Sequence, residues 1–207
     1  MTRDDRMLRD LSGFEGREVV VTVKMDGENT TMYRDGLHAR SLSYTPHPSR
    51  TYVRRLHALL RHDIPVGWRV TGENLYARHS IAYTNLDGYF LVFGIYDGDV
   101  ALAWDEVEEY AAMLCLPTVP VLWRGIWDED RIRQLYRPTH AGDPMEGYVV
   151  RPADAFPARL FGSVVAKYVR AGHVQTDEHW LKRAVVRNEL GPKAKKWIAC
   201  RERQYGA

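Results

Sequence analysis

The sequence predicts an α+β fold of antiparallel sheets with flanking helices and a short helical C-terminal extension. Three observations carry this expectation. β-Branched runs are punctuated by Asp-Gly dipeptides at Asp26-Gly27, Asp35-Gly36 and Asp97-Gly98, turns that reverse the chain and set antiparallel neighbours. Helical periodicity is confined to separate stretches at about 50–61, 104–114, 128–136 and from 177 on. The last stretch, from Asp177 on, combines helical spacing with a basic charge balance.

In chain order, residues 1–18 read as a lead-in. Val19-Val20-Val21-Thr22-Val23 is a strand by composition and ends in Lys24, where Asp26-Gly27 stops it. Thr30–Tyr33 and Leu37–Ser41 follow across Arg34-Asp35-Gly36. The three runs read as a meander with Lys24 at one rim and Arg40 facing the same space. Thr45–Ser49 breaks the chain before a helix over about 50–61. Its leucines are core, and Arg54, Arg55 and Arg61 lie on a face open to water or phosphate. Trp68–Thr71 is a strand leading into Gly72-Glu73-Asn74, and Tyr76–Ile81 is a connection. Tyr89–Tyr96 is nearly all apolar and reads as a buried strand. Trp104–Leu114 is helical, Leu116–Leu122 extended, Asp128–Tyr136 a short helix and Thr139–Pro144 a loop. Met145–Arg151 is a strand with Glu146 at its entrance, and Val164–Val169 is the last strand, with Lys167 among apolar residues. Helical spacing runs from Asp177 through Trp180 and Leu181. Gly191-Pro192 interrupts it, and Lys193–Arg203 resumes it.

Composition bounds the class. A chain of 207 residues with 45% hydrophobic and 27% charged content matches a globular protein and excludes disordered and fibrous classes. No apolar run is long enough to span a membrane and the polar start carries no secretory signal, so a cytoplasmic protein is expected. Cys115 and Cys200 fit a reducing compartment and speak against a disulfide framework. The eight histidines have no zinc-like spacing. Charge is uneven: residues 1–166 hold 19 Lys/Arg against 23 Asp/Glu, and residues 167–207 hold 10 against 4. A basic end on a slightly acidic body suits an anionic polymer such as nucleic acid, and equally a solvated helical tail.

Lys24, Glu73, Glu146, Lys167 and Arg40 all fall at or within strands. A lysine inside an apolar strand is costly unless it has a partner, and a phosphate cleft supplies one. Glu73 and Glu146 offer hard oxygen donors for Mg²⁺ or Mn²⁺, or acceptors for ribose hydroxyls. An activated lysine, a second lysine on phosphate and a metal-binding carboxylate together suit attack on a nucleotide α-phosphate. Phe93 on the buried strand suits stacking on a base and also suits the core.

The ordered set Lys24-x-Asp26-Gly27-x-Asn29, Gly72-Glu73, Val92-Phe93-Gly94-Ile95, Glu146-Gly147-Tyr148-Val149-Val150-Arg151 and Ala166-Lys167-Tyr168 resembles the motif series of covalent nucleotidyltransferases, the superfamily of DNA ligases, RNA ligases and capping enzymes. Asn29 resembles the RNA ligases. Lys167-Tyr168-Val169-Arg170, continuing through His173, Thr176, Asp177 and Trp180, resembles the nick-sealing RNA ligase branch. The resemblance implies an ATP-grasp-like nucleotidyltransferase domain over residues 1–170, with a basic helical extension over 171–207. It implies ATP-dependent joining of RNA 3′-OH and 5′-phosphate ends, with a nicked duplex as substrate and RNA repair as setting. By resemblance, Lys24 would carry AMP, Asp26 and Gly27 would shape its turn, and Asn29 would touch the metal's water shell. Arg40 would meet phosphate, Glu73 ribose, Phe93 the adenine face, Glu146 Mg²⁺ or Mn²⁺, and Lys167 the nucleotide phosphates. Lys24, Glu146 and Lys167 would be the catalytic set.

The chain departs from the family pattern at Val165, where a lysine is common, and at Gly94, where an aspartate is common. The lengths before Lys24 and after Lys167 leave no room for an OB domain, which argues against DNA ligase and capping-enzyme architectures. The alternatives are a capping-type guanylyltransferase and a non-catalytic RNA-binding module on the same fold.

Overall fold

The structure is a computed structural model that describes residues 11–40, 47–171 and 184–206. Two antiparallel sheets form its body. The first has four strands in the order β12-β10-β1-β7: β1 is Glu18–Lys24, β7 Val121–Ile126, β10 Gly147–Pro152 and β12 Ala166–Val169. The second has six, in the order β11-β6-β5-β4-β2-β3. Its strands are β2 (Glu28–Met32), β3 (Leu37–Ala39), β4 (Trp68–Asn74), β5 (Phe90–Asp97), β6 (Val100–Ala101) and β11 (Phe156–Pro157). A small hairpin of β8 (Thr139–His140) and β9 (Asp143–Pro144) stands apart.

The helices are α1 (Thr51–Leu60), α2 (Trp104–Met113), α3 (Glu129–Arg133), α4 (Phe161–Val164) and α5 (Ala194–Tyr205). α1 turns its apolar stripe of Val53, Leu56 and Leu60 inward. α3 starts where the Asp128 side chain accepts the Arg131 N–H at 3.0 Å, an N-cap that satisfies one orphan donor.

Burial explains why β1 reads as an unbroken apolar run. Val19, Val20 and Val21 are all 0% exposed, because β1 is an inner strand covered on both faces. Val20 lies opposite Arg151 of β10. The Arg151 guanidinium donates to the Leu102 carbonyl and lies over the Trp104 and Phe156 rings, beside the second sheet. The face carrying Val20, Thr22 and Lys24 therefore looks into the gap between the sheets.

Several expectations are corrected here. The first three strands do not form a meander: β1 pairs with β10 and β7, while β2 and β3 belong to the second sheet. Asp26-Gly27 is a crossing between layers, since β1 needs partners on both sides to be buried and β2 finds its own in β4. Leu116–Leu122 contributes only its last residues to a strand, and β7 runs on to Ile126. Thr139–Pro144 pairs as β8 and β9. Lys167 is exposed, not enclosed among apolar neighbours. Cys115 and Cys200 are joined by a disulfide, their Cα atoms 5.6 Å apart, because α5 packs back on the end of α2. The helical reading from Asp177 through Leu181, with His173, Thr176 and Trp180, lies outside the described residues.

α5 and the segment before it are tied to the body. The Asn188 side chain donates to the Leu75 carbonyl at 2.9 Å and accepts the Tyr83 N–H at 3.0 Å. Arg201 donates to the Cys115 carbonyl at 2.9 Å. Among the described residues, no helix is long and apolar enough to cross a membrane.

Candidate active site

Lys24 closes β1 at the lip of the gap between the sheets. Its Nζ lies 2.6 Å from Glu146 Oε1; the lysine side chain is 16% exposed and the glutamate 0%. The pair forms because Lys24 is in register with Gly147, so the residue entering β10 stands beside the residue leaving β1. Gly147 is required there: a Cβ would stand 1.9 Å from the Tyr168 carbonyl oxygen of β12. The Glu146 carbonyl in turn accepts the Arg170 N–H at 2.9 Å.

The turn after Lys24 is held by buried polar partners. Asp26 Oδ2 accepts from the Ser80 N–H at 2.9 Å, the Ser80 hydroxyl at 2.7 Å and the Ile81 N–H at 2.7 Å. The Asp26 N–H donates to the Tyr83 hydroxyl at 2.9 Å. Burial pushes the Tyr83 phenol up, so it stays neutral and available as an acceptor. A Cβ on Gly27 would stand 2.6 Å from the Asn74 carbonyl oxygen and 2.8 Å from Leu75 Cδ2, so only glycine lets the turn press on β4. Its N–H donates to Glu73 Oε1 at 3.1 Å.

Glu73 is half-buried, and loss of water pushes its carboxyl up to about 8. Lys24 opposes that rise, Glu146 and Asp26 reinforce it, and the Gly27 N–H opposes it. Its proton affinity is set by all the groups of the cleft together.

The second sheet presents a polar row toward this space. Asn29 of β2 is opposite Glu73 of β4, and the Arg40 N–H donates to the Asn29 carbonyl at 2.9 Å. Residues opposite one another across antiparallel strands share a face, so Arg40, Asn29 and Glu73 share one. The Glu73–Gly27 bond shows that this face looks toward the first sheet. On the first sheet, Thr22, Val149 and Lys167 are in register, which puts Lys167 on the same face as Lys24 with β10 between them. Strand spacing and the two-residue offset separate their Cα atoms by about 12 Å, within reach of one polyphosphate for two extended lysines.

Phe93 is the extra residue of a β-bulge: Thr71 pairs with Gly94, and Gly72 pairs with Val92. A bulge re-aims the side chain it carries. Phe93 is half-buried and packs against the core.

Lys24, Asn29, Glu73, Phe93 and Lys167 thus lie on strands of the two sheets, Glu146 and Arg40 adjoin strand ends, and Asp26 and Gly27 form the crossing; Lys24, Glu146, Asp26 and Gly27 all act on the Glu73 carboxyl. The sequence reading missed the Ser80, Ile81 and Tyr83 clamp on Asp26. Tyr76–Ile81 reads as a plain connection, and nothing local marks a serine as the partner of an aspartate 54 residues away. It also missed the buried pair of Arg50 and Glu28, whose guanidinium Nε donates to both carboxylate oxygens at 3.0 and 2.9 Å on the reverse of β2.

Among the described residues, no group of three or more His, Cys, Asp or Glu side chains is placed to hold a metal ion.

The fold is that of a ligase nucleotidyltransferase domain. Similar solved structures include a Naegleria gruberi RNA ligase with pyrophosphate (TM-score 0.57, 20% identity, 82% of this chain and 56% of that one). A mutant of the same ligase with ATP and manganese has a TM-score of 0.55 at 19% identity, over 78% of this chain and 52% of that one. An archaeal ATP-dependent RNA ligase has a TM-score of 0.51 at 18% identity, over 78% and 44%. The chain spans about half the length of these structures. Comparison with curated proteins yields no match. The RNA ligase family profile matches residues 17–169, and the chain belongs to that family.

Proposed function

We propose that this chain catalyses ATP-dependent RNA ligation through lysyl-AMP and RNA-adenylate intermediates. The observation that carries the reading is Lys24 Nζ held 2.6 Å from the fully buried Glu146, at the lip of a cleft whose opposite wall presents Glu73. Family membership supports it, as do the related ligases solved with ATP and manganese and with pyrophosphate.

Lys24 attacks the α-phosphorus of ATP. The nitrogen–phosphorus bond forms, the bond to the bridging oxygen breaks, and pyrophosphate leaves. As an ammonium paired with Glu146 the lysine is not a nucleophile, so its proton must leave before attack. A divalent cation on Glu146 would take up the carboxylate that Lys24 now pairs with and would draw charge from the phosphates. Lys167 and Arg40 lie on the two walls where the phosphates pass, Glu73 receives a ribose hydroxyl, and Phe93 offers a ring to adenine. AMP then moves from Lys24 to an RNA 5′-phosphate. A 3′-OH attacks that phosphate and displaces AMP, leaving a phosphodiester. A nicked duplex in RNA repair is the proposed substrate, met in the cytoplasm where ATP and RNA coexist. Residues 1–170 form the adenylyltransferase unit and 171–207 its basic extension.

The test is label transfer from α-phosphate-labelled ATP with Mg²⁺ or Mn²⁺, beside Lys24→Ala and a GTP control. Label from ATP alone, absent in the variant, is the expected result. Label from GTP moves the reading to guanylyl transfer. No label on folded, AMP-free protein moves it to a non-catalytic RNA-binding module.

A further inference from the structure

β12 carries Lys167 on the face toward the cleft and, one residue on, Tyr168 on the reverse face. Tyr168 is in register with Tyr148 of β10, and the two rings stack with centroids 5.2 Å apart and planes 22° from parallel. Tyr136 meets the edge of Tyr168 at 5.4 Å. These three rings, with Arg133, Gln134 and Arg137, line an open hollow of about 460 Å³. Its size falls within the ~300–1,000 Å³ common for small-ligand sites. Tyr168 is 41% exposed, so the stack presents a ring to solvent. Arg133 shares its charge with Glu129 at 2.5 Å. Arg137 is anchored by the Gln134 and Tyr136 carbonyls, which orient its guanidinium and leave its charge intact.

We propose that this hollow binds an unpaired RNA segment adjoining the nicked duplex, stacking a base on Tyr168 and placing the neighbouring phosphates on Arg137 and Arg133. Flat rings beside cations match a π-face joined to an anion. A duplex keeps its bases stacked on each other, so the hollow selects an unpaired nucleotide. Among the described residues β12 ends its sheet, so a strand held behind it needs only to round that edge to reach the side where Lys24 and Lys167 stand. The choice of polymer rests on the RNA-ligase reading.

The test measures binding of a labelled single-stranded RNA and a blunt RNA duplex by fluorescence anisotropy over a salt series. Wild type is compared with Tyr168→Ala, Tyr168→Phe and Arg133→Gln/Arg137→Gln. Label transfer from ATP without RNA is measured on the same proteins. Tyr168→Ala is expected to weaken single-strand binding about tenfold, and Tyr168→Phe to restore it. The arginine pair is expected to lower the salt slope by about 1.4. Duplex binding and adenylate formation stay at wild-type levels. Unchanged single-strand binding in both the alanine and the glutamine variants overturns the proposal. So does a loss shared equally by the duplex, or wild type that binds no RNA. If wild type forms no adenylate yet loses single-strand binding in the variants, the ligase reading fails and the binding site stands.

Discussion

Glu73 is the group whose protonation the cleft displaces most clearly. Burial raises its carboxyl from 4.5 to about 8 against the opposing pull of Lys24. Between those values the folded chain holds a proton that the unfolded chain has released. Stability therefore falls as pH rises from about 4.5 to 8 and levels off above that window. At about 1.36 kcal/mol per pH unit the full linkage is roughly 5 kcal/mol. Glu73 keeps some contact with solvent, which screens part of this, and roughly half, about 2 kcal/mol, is the expected effect. Glu73→Gln keeps an oxygen for the Gly27 N–H and removes the titration. Urea unfolding of ATP-free protein at pH 5 and pH 9 reads the difference, since all other groups cancel between the two proteins. The variant is expected to gain about 2 kcal/mol on wild type between the two pH values. Parallel pH profiles would refute the assignment of a displaced proton to this carboxyl.

Gly27→Ala forces a Cβ onto the Asn74 carbonyl and the Leu75 side chain, neither of which yields without moving β4. The expected cost is about 1–3 kcal/mol in urea unfolding, together with a loss of label transfer as Lys24 shifts; wild-type values in both assays would mean that the turn is pliant. Arg50→Met leaves the buried Glu28 carboxylate without its guanidinium, at about 3–5 kcal/mol. Arg50→Met/Glu28→Leu should recover most of that, and a double variant no more stable than the single would contradict the charge argument. The Cys115–Cys200 bond closes a separation of 85 residues, and chain entropy gives it at most about 4–5 kcal/mol. Cys200→Ser and reduced wild type should melt at the same temperature, below the oxidised protein; equal melting of oxidised and reduced protein removes the bond from the account.

The amino-acid sequence by itself determined the local chemistry: a lysine at the end of a β-branched strand before Asp26-Gly27, a glutamate before Gly147, a lysine inside the last strand, and their order along the chain. These are legible because turn and strand preferences act within a few residues. Only the tertiary structure decided which sheet each strand joins. A run as apolar as Val19–Val23 says that both its faces are covered and does not say by what. For that reason the expected meander became two sheets, Asp26-Gly27 became the crossing between them, and the register of β1 with β10 set Lys24 against Glu146. The clamp on Asp26, the Arg50–Glu28 pair, the Cys115–Cys200 bond and the Tyr148–Tyr168 stack all join residues at least twenty positions apart. No local preference encodes such pairs. They arise where buried polar groups must find partners and where strand register brings distant side chains onto one face.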